Sequence, residues 1–431
     1  MENNLQNILN NSQKAFMEWK KTSVQERQKL LTVLSEKLLE NKEKFAQIIT
    51  REMNKPVSQA ISEIKKSAGM CAYYAEARDV LMTEKVETEH AVSEIHYEPM
   101  GVILGIMPWN YPFWQALRFA VPAMLSGNVV ILKHASICEE TGDTLQHLFE
   151  ECGFPAGTFT HVKASHSEIE EMIASPVIKA VSLTGSEAAG RKVAAVAGQN
   201  LKKCVLELGG SDAFIVLEDA DIKNAAEDAA AARLQNCGQT CVAGKRFIIH
   251  HKIYDEFLSK FIEEYQKYIP GNPEDPETAL GSMAREDLAS ELENQYQKAI
   301  DNGAKILLPL KRVGEMTFEP GLMEMNAGNP VLDEELFGPL GMVFKAENDD
   351  EALTIANSTM FGLANAVYTK DRDKAMFFAT HLESGSVAIN QIFRSDWRMP
   401  FGGRKNSGYG VELSLYALRE FTVMKSIIGE V

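Results

Sequence analysis

The sequence predicts an α/β protein whose core is an open, doubly wound parallel sheet, joined to a second α/β unit. From residue 101 onward, short apolar runs alternate with helix-length segments. Strands and helices in alternation imply parallel pairing, because each crossover must return the chain to the same end of the sheet. At 431 residues the chain is also too long for one ordinary core, so two or three domains are expected.

Before residue 101 the pattern differs. Residues 5 to 50 read as two amphipathic helices, with Leu30, Leu31, Leu34 and Leu38 recurring after Ser23, an N-cap. Residues 84 to 98 alternate, with Val86, Thr88, Val92 and Ile95 among polar neighbours. They suggest a two-stranded ribbon, which buries too little to stand alone and must lean on another domain or subunit.

The first alternating unit reads as strand Val102 to Met107, helix Pro112 to Ser126 and strand Val129 to Leu132. A helix over about 139 to 151 and strands near 159 to 162 and 178 to 183 follow, then a helix over 186 to 197. A second unit begins near Val205, with strands at 213 to 217, 247 to 250, 304 to 308, 363 to 368 and 385 to 389. Its helices are expected at about 221 to 235 and 252 to 268. Sheets of this kind bind ligands at the carboxyl ends of their strands.

Charge and cysteine usage narrow the function classes. With 44 basic against 60 acidic residues the net charge is −16, which argues against a nucleic-acid partner. Six scattered cysteines are no disulfide framework, and no Cys or His pairs fall at zinc-ligand spacing, so no metal is expected. The start, Met1-Glu2-Asn3-Asn4, has no basic segment leading into an apolar run, and no apolar stretch approaches a membrane span. A cytoplasmic protein is the expectation.

The stretch Asn236-Cys237-Gly238-Gln239-Thr240-Cys241 sets a thiol among small and polar residues, leaving room for a substrate carbon to reach sulfur. A packed structural cysteine fits the same six residues. Three other sites could serve such a thiol. Glu207 is flanked by Val205, Leu206 and Leu208, and desolvation there raises a carboxyl's proton affinity toward that of a general base. Asn110 lies between Pro108 and Pro112 at a strand-to-helix turn, where a held amide can stabilise an oxyanion or cap the helix. Leu183-Thr184-Gly185-Ser186 ends an apolar strand and opens a helix, offering free N–H groups to a phosphate, although G-x-G-x-x-G is absent.

Together these stretches resemble the aldehyde dehydrogenase superfamily, from about residue 13 to the C-terminus. Further matching motifs are Leu132-Lys133, Glu334-Glu335-Leu336-Phe337-Gly338-Pro339 and the run Pro400 to Gly408. The resemblance implies a cofactor domain over 1–83 and 99–209, a catalytic domain over 210–410 and oligomerisation segments at 84–98 and 411–431. It further implies that Cys241 is the nucleophile, that Glu207 activates the deacylating water, and that Asn110 with the Cys241 N–H holds the oxyanion. Trp109, Lys133, Ser136, Thr184, Gly185, Ser186, Glu335 and Phe337 would contact NADP or NAD. The implied chemistry is thiolate attack on an aldehyde, hydride transfer from the thiohemiacetal, and hydrolysis of the thioester to an acid.

Members of the family that prefer NAD often carry a glutamate where Ser136 stands; its absence removes a repulsion and leans the choice toward NADP. For the substrate, Asn110, Trp114 and Arg118 are four apart and share a helix face. Arg118 and Ser395 resemble the carboxylate grip of succinate-semialdehyde dehydrogenases. Ranges Leu132 to Ala135 and Lys202 to Asp212 are similar to that branch as well. The alternatives are another small or aromatic aldehyde, an acylating enzyme that transfers to coenzyme A, which Glu207 disfavours, and an inactive binding protein. A homodimer or homotetramer is expected through the ribbon and the tail Phe421 to Ile428. Cys237 precedes Cys241 by four residues; helical spacing would bring the sulfurs together for a disulfide, although a packed thiol is the preferred expectation.

Overall fold

The computed structural model describes residues 2–78 and 80–430; Met1, Asp79 and Val431, which fall within the ranges assigned above, lie outside the described residues. Four helices come first: Glu2–Trp19, Val24–Glu40, Lys42–Met53 and Val57–Ala75. Ser23 caps the second in a capping box with Glu26, as the sequence predicts. The expected two helices over residues 5 to 50 are three, because Asn41 ends the second and starts the third. The helix Val57–Ala75 was not predicted. Its buried face carries Glu63 and Ser67 beside Ile64 and Ala68, so the apolar period is broken where the polar groups have a task.

The first sheet has six strands in the order Gly408–Tyr409, Lys203–Glu207, Ile178–Thr184, Val102–Met107, Val129–His134 and Phe159–His161. The last five are parallel. Strand order reverses between Val102–Met107 and Ile178–Thr184, so the turns after Met107 and Thr184 flank the switch point where such sheets bind ligands. The strand Lys203–Glu207 belongs to this sheet rather than opening the second unit. Its other edge neighbour is Gly408–Tyr409, from the far end of the chain, paired antiparallel. A Cβ at Gly408, whose φ is +114°, would lie 1.9 Å from the Leu206 carbonyl oxygen, so this close approach requires glycine.

The second sheet runs Lys305–Leu308, Gly321–Glu324, Leu340–Ala346, Gly244–His250, Asp212–Val216, Ala364–Tyr368 and Ser386–Ile389, parallel except at the first edge. Two apolar cores follow the two sheets. The ribbon has three strands, because Thr422–Gly429 pairs with Val92–Pro99 along eight residue pairs while Glu84–Lys85 covers the other edge. Residues 411 to 431 do not act as one segment: Leu413, Leu418 and Phe421 pack into the first core, and only the strand after them joins the ribbon. No helix among the described residues is long and apolar enough to cross a membrane.

Candidate active site

Cys241 lies in the turn just before the strand Gly244–His250 and lines two cavities. One, of about 350 Å³, is walled by Lys66, Tyr111, Trp114, Arg118, Ser395 and Phe401. The other, of about 570 Å³, runs along Trp109, Asn110, Gly185, Ser186, Glu335 and Phe337. The two cavities therefore meet at Cys241 and Gln115, which line both. Surrounding protein desolvates the thiolate and pushes the Cys241 thiol up to about 11, against the pull of Arg118 and Lys245.

The loop carrying the thiol is held from below. Lys245, fully buried, donates to the carbonyls of Thr240 at 3.0 Å and Cys241 at 2.7 Å. Its ammonium also pairs with Glu335 at 3.2 Å, and Glu335 accepts from the Gly210 N–H at 3.0 Å. Arg233, fully buried, donates to the carbonyls of Gly238 and Leu336. Asn236 and Cys237 both have φ of 55°, so the chain leaves the helix before Cys237 and helical spacing to Cys241 does not apply. Cys237 packs in the second core and is a free thiol, as are the other five cysteines.

Asn110 is not the cap of the helix Pro112–Leu125; Tyr111 holds that position without a side-chain bond. The cap is supplied by Glu63, whose carboxylate accepts from the N–H groups of Phe113 at 3.0 Å and Trp114 at 3.1 Å. Glu63 is in turn paired with Lys55, buried with it, and Lys55 donates to the Asn110 carbonyl at 2.7 Å. Neither residue was singled out from the sequence, because a Lys and a Glu eight apart look like surface charges. The Asn110 amide is thus free for other work: Nδ2 donates once, to the Gln239 carbonyl at 3.0 Å, and an amide nitrogen has two protons to give. Among the described residues the Cys241 N–H has no hydrogen-bond partner. Both groups are available to an oxyanion.

Glu207 ends its strand buried, with both carboxyl oxygens lacking a hydrogen-bond partner. Burial and the neighbouring Glu412 carboxylate hold its proton affinity well above the usual carboxylate range, and Arg118 opposes them. It lines neither cavity at Cys241. Arg118 is ion-paired with Glu412, donates to Thr184 Oγ1 at 3.4 Å and lies 4.8 Å from the Phe401 ring centroid. Trp114 lies under the Lys66 ammonium, 4.2 Å from its ring, and Ser395 accepts from Lys66 at 2.8 Å. Lys66 sits on the unpredicted helix, and sequence reasoning missed it.

In the larger cavity, Ser186 caps the helix Glu187–Gln199 through the Ala189 N–H, and Gly185 leaves that mouth open. Trp109 meets Phe337 edge to face at 5.7 Å. Lys133 and Ser136 lie at the carboxyl end of the strand Val129–His134 and just beyond it, outside the lining of these two cavities; Ser136 is exposed.

A thiol shared by a helix-mouth cleft and a second pocket, with an amide donor lining the same cleft, is the kind of arrangement that covalent thiol enzymes use. The chain belongs to the aldehyde dehydrogenase family, whose sequence profile matches residues 1–427. It is 41% identical over 427 residues to the succinate semialdehyde dehydrogenase (NAD(P)+) Sad of Escherichia coli strain K12, covering 98% of this chain and 92% of that one. It is 39% identical over 428 residues to the succinate-semialdehyde dehydrogenase (NADP(+)) of Deinococcus radiodurans, covering 97% and 89%. The fold matches a crystal structure of succinic semialdehyde dehydrogenase from Streptococcus pyogenes in complex with NADP+, with a TM-score of 0.96 and 33% identity, covering 100% of this chain and 96% of that one.

Proposed function

We propose that this protein oxidises succinate semialdehyde, or a closely similar carboxylate-bearing aldehyde, to the acid with NADP or NAD. The observation that carries the reading is the position of Cys241, exposed at once to a cleft shaped for a dinucleotide and to a separate pocket that holds cations.

The cofactor fits the larger cavity: Ser186 and Gly185 at a helix N-terminus suit a pyrophosphate, Glu335 a ribose, and Phe337 and Trp109 a nicotinamide face. Lys133 and Ser136 would meet the adenosine end. When bound, the cofactor supplies a hydride acceptor. The Cys241 thiolate adds to the aldehyde carbon, and the new oxyanion takes hydrogen bonds from Asn110 Nδ2 and the Cys241 N–H. After oxidation Glu207, once it has released its own proton, takes one from water, and the hydroxide so formed attacks the thioester and releases the acid and the Cys241 thiolate, to which Glu207 returns the proton. Since Glu207 lies outside both cavity linings, its side chain must swing toward the sulfur for that step.

We assign residues 1–83 and 99–209 to the cofactor, 210–410 to catalysis and the ribbon to subunit pairing, in a homodimer or homotetramer acting in the cytoplasm. The outer strand exposes Met424 and Ile428 on one face and Val423 and Ile427 on the other, apolar surface that a second subunit would cover. The test is nicotinamide reduction with succinate semialdehyde and with butanal, using NADP and NAD. A clear preference for the charged aldehyde is expected; equal kcat/KM for both would overturn the substrate assignment, and turnover surviving Cys241→Ala would overturn the mechanism.

A further inference from the structure

Gln115 is a buried polar side chain with no structural task. It lies in the first turn of the helix Pro112–Leu125, is 2% exposed, and with Cys241 it lines both cavities. Among the described residues its Oε1 atom has no hydrogen-bond partner. Where a buried glutamine serves the fold, the protein satisfies it: Gln239, in the thiol loop, donates to the Asn236 carbonyl at 3.2 Å and accepts from the Ala284 N–H at 2.9 Å. An unmet amide oxygen is costly to bury, and at the junction of two cavities it calls for a ligand.

The larger cavity brings the end of the Glu207 strand to the same place. Leu208 and Gly209, which follow Glu207, line it, and so does Thr184. Thr184 stands in register with Glu207 on the neighbouring parallel strand, so the two side chains leave the same face of the sheet. Arg118, three residues after Gln115 on the same helix face, donates to Thr184 Oγ1 at 3.4 Å, and its charge bears on both the Cys241 thiol and the Glu207 carboxyl.

We propose that Gln115 Oε1 and the Glu207 carboxylate together hold the water that hydrolyses the thioester on Cys241. A water that attacks must give both of its protons to acceptors and turn a lone pair to the carbon. One O–H points to Glu207, which removes that proton as the oxygen–carbon bond forms; the other rests on Gln115 and stays with the acid. The carbon–sulfur bond then breaks, and the Cys241 thiolate takes the proton back from Glu207. Gln115 acts here through its acceptor end, whereas the oxyanion needs donors, which Asn110 Nδ2 and the Cys241 N–H already supply.

This inference rests on the hydrolytic reading above, and the two fail separately. Gln115→Met keeps the length of the side chain and removes the acceptor. On rapid mixing with succinate semialdehyde and NADP, the first turnover of reduced cofactor should keep its wild-type rate. The acyl-enzyme, followed by acid quench and mass spectrometry, should then decay about tenfold more slowly, the worth of one hydrogen bond. Hydroxylamine, a stronger nucleophile than water, should clear it at the wild-type rate by carrying the acyl group off as a hydroxamate. A first turnover slowed by the same factor, a raised cofactor KM with unchanged acyl-enzyme decay, or decay equal to wild type each overturn the assignment of Gln115 and leave the enzyme reading intact. A wild type that reduces no cofactor with the aldehyde overturns that reading and this one with it. If Gln115→Met does not fold, Gln115→Asn decides: its acceptor is drawn back by one methylene, so slower acyl-enzyme decay behind an unchanged first turnover is expected, and decay equal to wild type overturns the proposal.

Discussion

Arg118 and Glu412 form a buried ion pair, and the Glu207 carboxyl and the Cys241 thiol both lie in the field of the same guanidinium. Two acids and one arginine in a dry pocket form a unit in which each charge depends on the others.

The unit makes Arg118→Met a diagnostic change. Side chains at 3% and 4% exposure leave Glu412 uncompensated when the arginine is lost, a loss of about 3–5 kcal/mol for a broken buried pair. Calorimetry should show a markedly lower melting temperature. Turnover should fall on succinate semialdehyde and butanal alike, because the guanidinium is paired with Glu412 and its charge bears on the Glu207 carboxyl. A further, selective loss on the charged aldehyde would put Arg118 at the substrate carboxylate as well, the role the sequence predicts for it.

Glu207 carries a pH signature. Its folded proton affinity is raised, so between its unfolded pKa of about 4.3 and its folded value the folded state holds a proton that the unfolded state has released. The contribution to stability is complete below the unfolded pKa and is lost as pH rises through the folded one. Glu207→Gln removes that dependence. Its melting temperature relative to wild type should climb as pH is raised, while steady turnover collapses and a first burst of reduced cofactor remains. A difference in melting temperature that is flat with pH would contradict the assignment.

These couplings explain what could and could not be read from the residues in order. Glu207 and Asn110 each sit in a short motif at or just past the carboxyl end of a strand, where chain direction alone says which way a ligand lies, and Cys241 was singled out by the small and polar residues around it in the turn before Gly244–His250. The strand positions of the first sheet were legible for the same reason. Lys55, Glu63 and Lys66 were not, because their meaning depends on a helix docked across the opening of another, and a buried Glu looks no different in sequence from a solvated one. Glu412 reaches Arg118 only after the chain returns to pair Gly408–Tyr409 with Lys203–Glu207, a contact spanning some two hundred residues that no local pattern encodes.

Lys245 links the two halves of the site, because one ammonium holds both the thiol loop and Glu335. Lys245→Met should strand two buried carbonyls at about 1–3 kcal/mol for each unsatisfied group and release Glu335 toward solvent. Cofactor KM should rise, and the thiol should titrate higher still once the cation that lowers it is gone. Unchanged cofactor KM would show that Glu335 needs no such anchor.

Cys241 itself offers the most direct check on the electrostatics. Burial keeps its thiol protonated until about 11, with Arg118 and Lys245 only partly offsetting the desolvation. Only the thiolate reacts with iodoacetamide, so in the absence of cofactor the alkylation rate should rise about tenfold per pH unit from neutrality to about pH 10. Mass spectrometry of the modified peptide separates Cys241 from the five buried thiols. The slope tests the setting of the sulfur independently of any substrate. If the rate levelled off below about pH 9, the cations would outweigh the burial, and the thiolate would be preformed before the cofactor arrives.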